Sequence, residues 1–264
     1  MSEVSKLIYQ LSPFVEDCLT KQNRAFSSFE YNYLQEVINQ HQIQSVLDIG
    51  TGEGSFIAGL ASLTPDVNYH AIDVGEDLIS IAKEKNQQDN IVFTSCLFDS
   101  SFPEKKYDLI LARFSVEHMK DIAAFIAEAY KRLKKGGILL VTEYYVENIS
   151  LQSDTWNIFR EKELEFYTAI GSNARTSIEI PKLMHKEAFK KINSNLRHIS
   201  PSTIGFQPFY ELIISYANIY GNIVPEVWTD EIKSIIIAYA ENSMHETSSH
   251  VEDVLFISHT IGYA

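Results

Sequence analysis

Apolar residues along this chain alternate between two spacings. Short apolar runs fall at 45–49, 67–74, 91–95, 107–113 and 138–143. Runs of this length, partly β-branched, read as buried strands. Between them, apolar residues recur every three or four positions, as on one face of a helix. The clearest case begins at Asp121, which stands as an N-cap. Ile122, Phe125, Ile126, Ala129 and Leu133 form its buried stripe, and lysines precede Gly136 as a stop. Strands alternating with helices in this way predict right-handed crossovers and a parallel sheet, an α/β fold.

The flanks depart from this rhythm. Residues 3–40 read as helical: Leu7, Ile8 and Leu11 keep a helical spacing and Pro13 interrupts. Phe26, Phe29, Tyr33, Leu34, Val37 and Ile38 then form a second apolar face. A helical pair is expected, either packed on the core or capping a site. Beyond residue 143, Trp156, Phe159, Leu164, Phe166, Tyr167 and Ile170 fall in a helical pattern before Gly171, and a further helix is expected to end at Lys191. A sixth strand is expected over 195–203, aromatic-rich helix over 206–240, and a long closing strand over 254–263.

The first strand runs into Gly50, Gly52 and Gly54, at alternate positions, before a helix. Glycine lets the chain turn tightly and lets a ligand approach the main chain. A dinucleotide pyrophosphate wants G-x-G-x-x-G and a helix N-terminus. Here the spacing is G-x-G-x-G, and Asp48 and Glu53 would repel an anion. A ligand with an amino group and a sulfonium would not be repelled. The second strand ends in Asp73, nineteen residues past Gly54, where an acid can accept hydrogen bonds from two ribose hydroxyls. Gly50, Asp73, Leu97, Arg113 and Glu143 all fall at carboxyl ends of strands, where open α/β sheets bind ligands.

Asp48-Ile49-Gly50-Thr51-Gly52-Glu53-Gly54 resembles motif I of the class I S-adenosylmethionine methyltransferases at each fixed position. The run 107–143 resembles the next most regular part of that family, with Lys135 where proline is usual. The resemblance covers nearly all of 42–264, strongly to Glu143 and in outline beyond. It implies a Rossmann-like, seven-stranded, mostly parallel sheet, with an antiparallel last strand between the fifth and sixth and a helical cap or lid. It implies an N-terminal helical cap, 1–40, and a methyltransferase domain, 41–264, with a lid insertion at about 145–192 and a helical insertion at about 206–245. It also implies S-adenosylmethionine as cofactor. Asp48 and the turn of Gly50, Thr51, Gly52 and Gly54 would hold its amino acid portion. Asp73, with Val74, would hold the ribose, Leu97 and Phe98 the adenine, and Arg113 the cofactor carboxylate or an acidic substrate. The family often has an adenine-binding acid where this chain has Cys96. Either Asp99 or main chain at Leu97 and Phe98 must take that role.

Methyl transfer from a sulfonium mainly requires positioning, with removal of a proton where the acceptor carries one. That chemistry calls for no metal cluster and no nucleophile triad. His118 is the leading base, since it follows the fourth strand and titrates near neutral pH; packing against the helix at Asp121 is the competing role. Tyr145, with Glu143 and Tyr144, ends the fifth strand and either lines an acceptor pocket or packs in the lid. Glu117 is expected to be solvated, and Arg160 and Arg175 to lie at the surface. Trp156, Phe159, Phe166, Tyr167, Phe206, Phe209 and Tyr210 either enclose an apolar or aromatic acceptor or pack on one another.

Bulk properties narrow the choice. A length of 264 residues suits one enlarged α/β domain, and a net charge of -13 argues against nucleic acid as partner. No apolar run is long enough to span a membrane, and the first ten residues do not read as a signal peptide. Cys18 and Cys96 lie far apart, which suggests a reducing, cytoplasmic setting. The expected activity is methyl transfer to oxygen, nitrogen or carbon of a small molecule. The alternatives are a protein side-chain methyltransferase and a non-catalytic, S-adenosylmethionine-binding regulatory protein. The glycine spacing counts against an NAD oxidoreductase.

Overall fold

The computed structural model describes residues 13–146, 153–245 and 253–264. Seven strands form one sheet: β1 (Ser45–Ile49), β2 (Asn68–Asp73), β3 (Ile91–Ser95), β4 (Tyr107–Arg113), β5 (Leu133–Tyr144), β6 (Lys190–Ile199) and β7 (Leu255–Tyr263). Their spatial order is β3-β2-β1-β4-β5-β7-β6. Strands β1 to β5 pair in parallel, and β7 runs antiparallel to both β5 and β6. The expected Rossmann-like sheet with its reversed last strand is therefore present. Its strand order switches direction between β1 and β4, and such a switch point leaves a crevice beyond the strand ends.

Nine α-helices surround the sheet among the described residues: α1 (Pro13–His41), α2 (Ser55–Leu63), α3 (Glu76–Lys85), α4 (Ile122–Arg132), α5 (Asp154–Ile170), α6 (Thr176–Lys186), α7 (Pro201–Ile204), α8 (Phe206–Ile223) and α9 (Asp230–Ser243). Three apolar cores hold these layers. One packs α1, α2 and α3 on one face of the sheet, and a second packs α4 and α6 on the other. A third joins α5, α8 and α9 to the first half of α1 and the ends of β5 and β7.

Several boundaries differ from expectation for local reasons. The described part of α1 begins at Pro13, and a proline is tolerated in a first turn because its missing N–H is one that no helix bond needs. The helix expected before it lies outside the described residues. Helix α4 stops at Arg132 because Leu133 already pairs with Tyr107. Gly136 and Gly137 then lie in a register shift within β5 and do not stop a helix. A Cβ on Gly137 would lie 2.9 Å from the Lys134 carbonyl oxygen. Strand β6 starts and ends earlier than expected, since Ser200 opens the short α7 through a capping box with Thr203. The aromatic helix is two helices, parted by a segment that contains Pro225. Among the described residues, no helix is long and apolar enough to cross a membrane.

One buried ion pair ties α1 to the sheet. Arg113 at the end of β4 donates through Nε to both oxygens of Glu30, with Nη2 2.8 Å from Oε2, and its guanidinium lies 4.2 Å from the centre of the Phe56 ring. The Glu30 side chain is only 2% exposed. Removing one partner of such a pair leaves the other charge buried and uncompensated. Glu30→Ala should therefore lower stability in urea titration by about 3–5 kcal/mol, and adding Arg113→Met should recover much of the loss. A single-variant loss below about 1 kcal/mol would show that the pair behaves as a surface contact.

Candidate active site

The glycine turn is stitched to β2 by its own main chain. Gly50 and Thr51 donate N–H bonds to the Ile72 carbonyl at 2.9 and 3.0 Å. Gly52 N donates to Asp73 Oδ2 at 2.9 Å, and Gly75 N donates to the other carboxylate oxygen at 2.8 Å. Gly50, Gly52 and Gly54 have φ of 76°, 60° and 78°, a conformation that L side chains rarely adopt. Space also excludes side chains at two of them. A Cβ on Gly50 would meet Ser115 Cβ at 2.4 Å, and one on Gly54 would meet the Phe93 ring at 2.7 Å. Asp73 is buried, which pushes its carboxyl pKa up against the pull of its backbone donors.

A cavity of about 1170 Å³ opens over these strand ends. Gly50, Asp73, Val74, Leu97 and Phe98 line one part of it, together with Cys96, Asp99 and Ser115. Leu97 is exposed at the rim, whereas Phe98 is buried against Phe102 and Phe125. Asp99 accepts bonds from the Ser101 N–H and hydroxyl, which hold its carboxyl below the usual carboxylate range. Burial pushes the Cys96 thiol up, away from thiolate chemistry. The other part runs along α4 to the α5–α6 turn and is lined by His118, Lys120, Ser172, Asn173, Glu179 and Leu183. Sequence reading missed Ser172, Asn173 and Glu179, which no motif marks. Only the turn signal of Gly171 stands beside them.

Several expected contacts fall elsewhere. Asp48 does not line the cavity. It is 3% exposed beneath the turn, and desolvation pushes its carboxyl up to about 6. Thr51, Gly52 and Gly54 are not lining residues either, and they shape the turn. Arg113 is held by Glu30 and faces α1, so it is withdrawn as the holder of a cofactor carboxylate. Tyr145 is not among the lining residues; its N–H bonds the Phe256 carbonyl and its carbonyl accepts from Arg160. Trp156, Phe159, Phe166, Tyr167, Phe209 and Tyr210 are buried in the helical core, and Phe206 packs against it. None of these aromatic residues lines the cavity. Arg160 is buried and paired with Glu163 in that same core.

Glu117, expected in solvent, is 4% exposed. Its Oε1 accepts the Tyr167 hydroxyl at 3.0 Å, and the neighbouring Glu143 raises its proton affinity. Glu143 Oε1 accepts N–H bonds from Ser115 at 3.1 Å and Val116 at 2.7 Å. These bonds hold the chain as it leaves β4 through Phe114, whose φ is 50°. Desolvation pushes the Glu143 carboxyl up to about 8 and raises Glu117 well above the usual range. His118 follows in a 3₁₀ turn (Val116–His118); burial lowers its pKa to about 4, so the ring is neutral at physiological pH.

This sheet, mostly parallel with an antiparallel β5-β7-β6 end and flanked by helices, has the Rossmann-like methyltransferase fold. Residues 47–141 match a family model described as "Methyltransferase domain". Among curated proteins, the malonyl-[acyl-carrier protein] O-methyltransferase of Bacillus cytotoxicus is 23% identical over 175 residues, covering 61% of each chain. Phosphoethanolamine N-methyltransferase 2 of Caenorhabditis elegans is 31% identical over 166 residues, covering 60% of this chain and 35% of that one. The chain thus spans less than two thirds of the length of these relatives. Among solved structures, the plantazolicin methyltransferase BpumL in complex with SAH superposes with a TM-score of 0.56 at 15% identity, covering 99% of this chain and 94% of that one.

The buried acids and His118 set opposing pH dependences. The ordinary Glu pKa is 4.5 and that of folded Glu143 about 8, so the folded protein keeps a proton that the unfolded chain has lost. That stabilisation is complete below about pH 4.5 and is lost as pH rises to about 8. For His118, lowered from 6.5 to about 4, the unfolded chain binds the proton, so stability rises with pH over that window. Between pH 6.5 and 8 the acids act without this opposition. Denaturant midpoints should fall across that interval, and those of the double variant Glu117→Gln/Glu143→Gln should stay level. A level wild-type profile would place ordinary carboxylates at these positions.

Proposed function

We propose that this protein transfers the methyl group of S-adenosylmethionine to an oxygen, nitrogen or carbon of a small molecule. The observation that carries the reading is the Asp73 carboxylate in the wall of a cavity floored by Gly50 and flanked by Val74, Leu97 and Phe98. Both oxygens of Asp73 are fixed by backbone donors and keep lone pairs for two ribose hydroxyls. Leu97 and Phe98 supply apolar surface for the adenine, and neighbouring main chain supplies polar groups for its edge. When bound, S-adenosylmethionine supplies an activated methyl carbon; the protein's task is to hold and aim it. The cavity exceeds the usual range for one drug-sized ligand, which leaves room for an acceptor beside the cofactor.

The acceptor end carries His118, Ser172, Asn173 and Glu179, so we infer an acceptor with polar groups of its own. The aromatic or apolar acceptor expected from the lid loses its basis, because those rings fill the helical core. Neutral His118 is in the proton-accepting form at neutral pH. The relatives' names give both an O- and an N-methyltransferase, so the acceptor atom is not carried over from them. Two cysteines without a disulfide suit the reducing, cytoplasmic setting.

Asp73→Ala should weaken binding of S-adenosylhomocysteine in calorimetry by about tenfold or more, the scale of a lost hydrogen bond to a charged group. An unchanged dissociation constant would remove Asp73 from the cofactor site. Mass spectrometry of ligand co-purified with the protein gives an independent check, and an NAD species there would overturn the assignment.

A further inference from the structure

A line of side chains leads from the acceptor end of the cavity into the interior. Ser172 Oγ lies 2.8 Å from His118 Nδ1, and His118 Nε2 lies 3.6 Å from Glu117 Oε1. The Glu143 carboxyl lies beside Glu117 in the interior and raises its proton affinity. Ser172 and His118 line the cavity, while Glu117 and Glu143 are buried behind them. The main chain fixes the alignment: Asn173 N donates to the Glu117 carbonyl at 2.9 Å, so the α5–α6 turn rides on the turn after β4.

We propose that this line is a proton relay, in which Ser172 and His118 take the proton released by the methyl acceptor and the Glu117–Glu143 pair receives it. The proposal rests on the methyltransferase reading above. For each methyl group gained, an oxygen or nitrogen acceptor gives up one X–H proton. The acceptor's lone pair makes the new X–C bond, the S–C pair returns to sulfur, and the X–H pair stays on X. Ser172 Oγ accepts the proton and passes its own to Nδ1. The imidazole passes its Nε2 proton to Glu117 Oε1, and Glu117 passes its own proton to Glu143. The carboxyl pair begins with one proton and one negative charge, and ends neutral with two protons. The proton returns to water by the same path after product leaves.

The surroundings suit a proton-accepting pair. Tyr167 of α5 donates its hydroxyl to Glu117 Oε1. Glu163 of α5, itself paired with Arg160, adds negative potential, and Tyr220 of α8 bonds Glu163. Desolvation and like charge thus favour protonation of the pair, so the singly protonated form that accepts the proton is populated as pH rises toward about 8. Two carboxyls are needed, because the first holds its proton throughout and the second gains and loses one. In these roles Glu117 and Glu143 act through His118 and are positioning residues.

The relay requires one tautomer, with Nδ1 bare toward Ser172 and a proton on Nε2 toward Glu117. Nitrogen NMR of the full chain labelled at histidine, with S-adenosylhomocysteine added, reads this directly; the signal is assigned by its loss in His118→Gln. We expect the Nε2-protonated form around neutral pH. Ser172→Ala and Glu117→Gln should each shift it toward the Nδ1-protonated form, and Ser172→Thr should restore it. Infrared spectra should show a protonated carboxyl band at neutral pH that Glu117→Gln and Glu143→Gln remove. An Nδ1-protonated ring in the wild type, a tautomer indifferent to Ser172→Ala, or the absence of that band would overturn the relay. If the glutamate variants fail to fold, the Ser172→Ala and Ser172→Thr pair decides alone. Calorimetry on the wild type separates the two claims. Failure to bind S-adenosylhomocysteine overturns the methyltransferase reading, whereas binding with the wrong tautomer overturns the relay only.

Discussion

The contact on which the site depends is the pair of N–H bonds that Ser115 and Val116 give to Glu143. The chain leaves β4 through Phe114 in a left-handed conformation that costs about 1–3 kcal/mol unless its surroundings hold it. Glu143 holds the far side of that bend, and Phe114 stacks on Tyr144 of the same strand, ring centres 4.4 Å apart. The bend drives Ser115 against Gly50, where its hydroxyl bonds the Ile49 carbonyl. One carboxyl therefore sets the β4 exit against the glycine turn and places His118 at the cavity wall. The same burial that makes this carboxyl a good anchor also raises its proton affinity.

Asp73 solves a related problem at the next strand tip. A carboxylate exposed at that position would move freely and bind weakly. Two backbone N–H groups fix it, one from the glycine turn and one from the start of the segment that opens α3. Preorganisation of this kind lowers the entropy lost when a ligand binds. Asp48, by contrast, serves the turn from beneath.

Much of the scaffold was legible because it rests on local pattern. The five parallel strands follow from short apolar runs, and the glycine turn follows from spacing that only a tight left-handed bend explains. The contacts of Arg113 and Glu117 were not legible, because each depends on a residue far away in the chain. Arg113 meets Glu30, and Glu117 meets Tyr167 and Glu143. No local period marks such pairs. The aromatic residues of α5 and α8 were ambiguous for a different reason, since a ring that fills a core and a ring that lines a pocket obey the same helical spacing. Ser172 carries no signal at all in sequence; only the turn that sets it beside His118 gives it meaning.

The position of β7 has a consequence for the order in which the protein can be completed. It lies between β5 and β6, yet it follows both in the chain, and Ala264 exchanges backbone bonds with Gly136 and Gly137. During synthesis the β1 to β5 half, which carries Gly50 and Asp73, can assemble while β6 still lacks β7, its one neighbour in the sheet among the described residues. The edge of β5 stays open until the last strand emerges. Until then a growing chain holds the Gly50–Asp73 half of its cavity beside an unpaired strand edge, and that edge is the hazard a chaperone would have to cover.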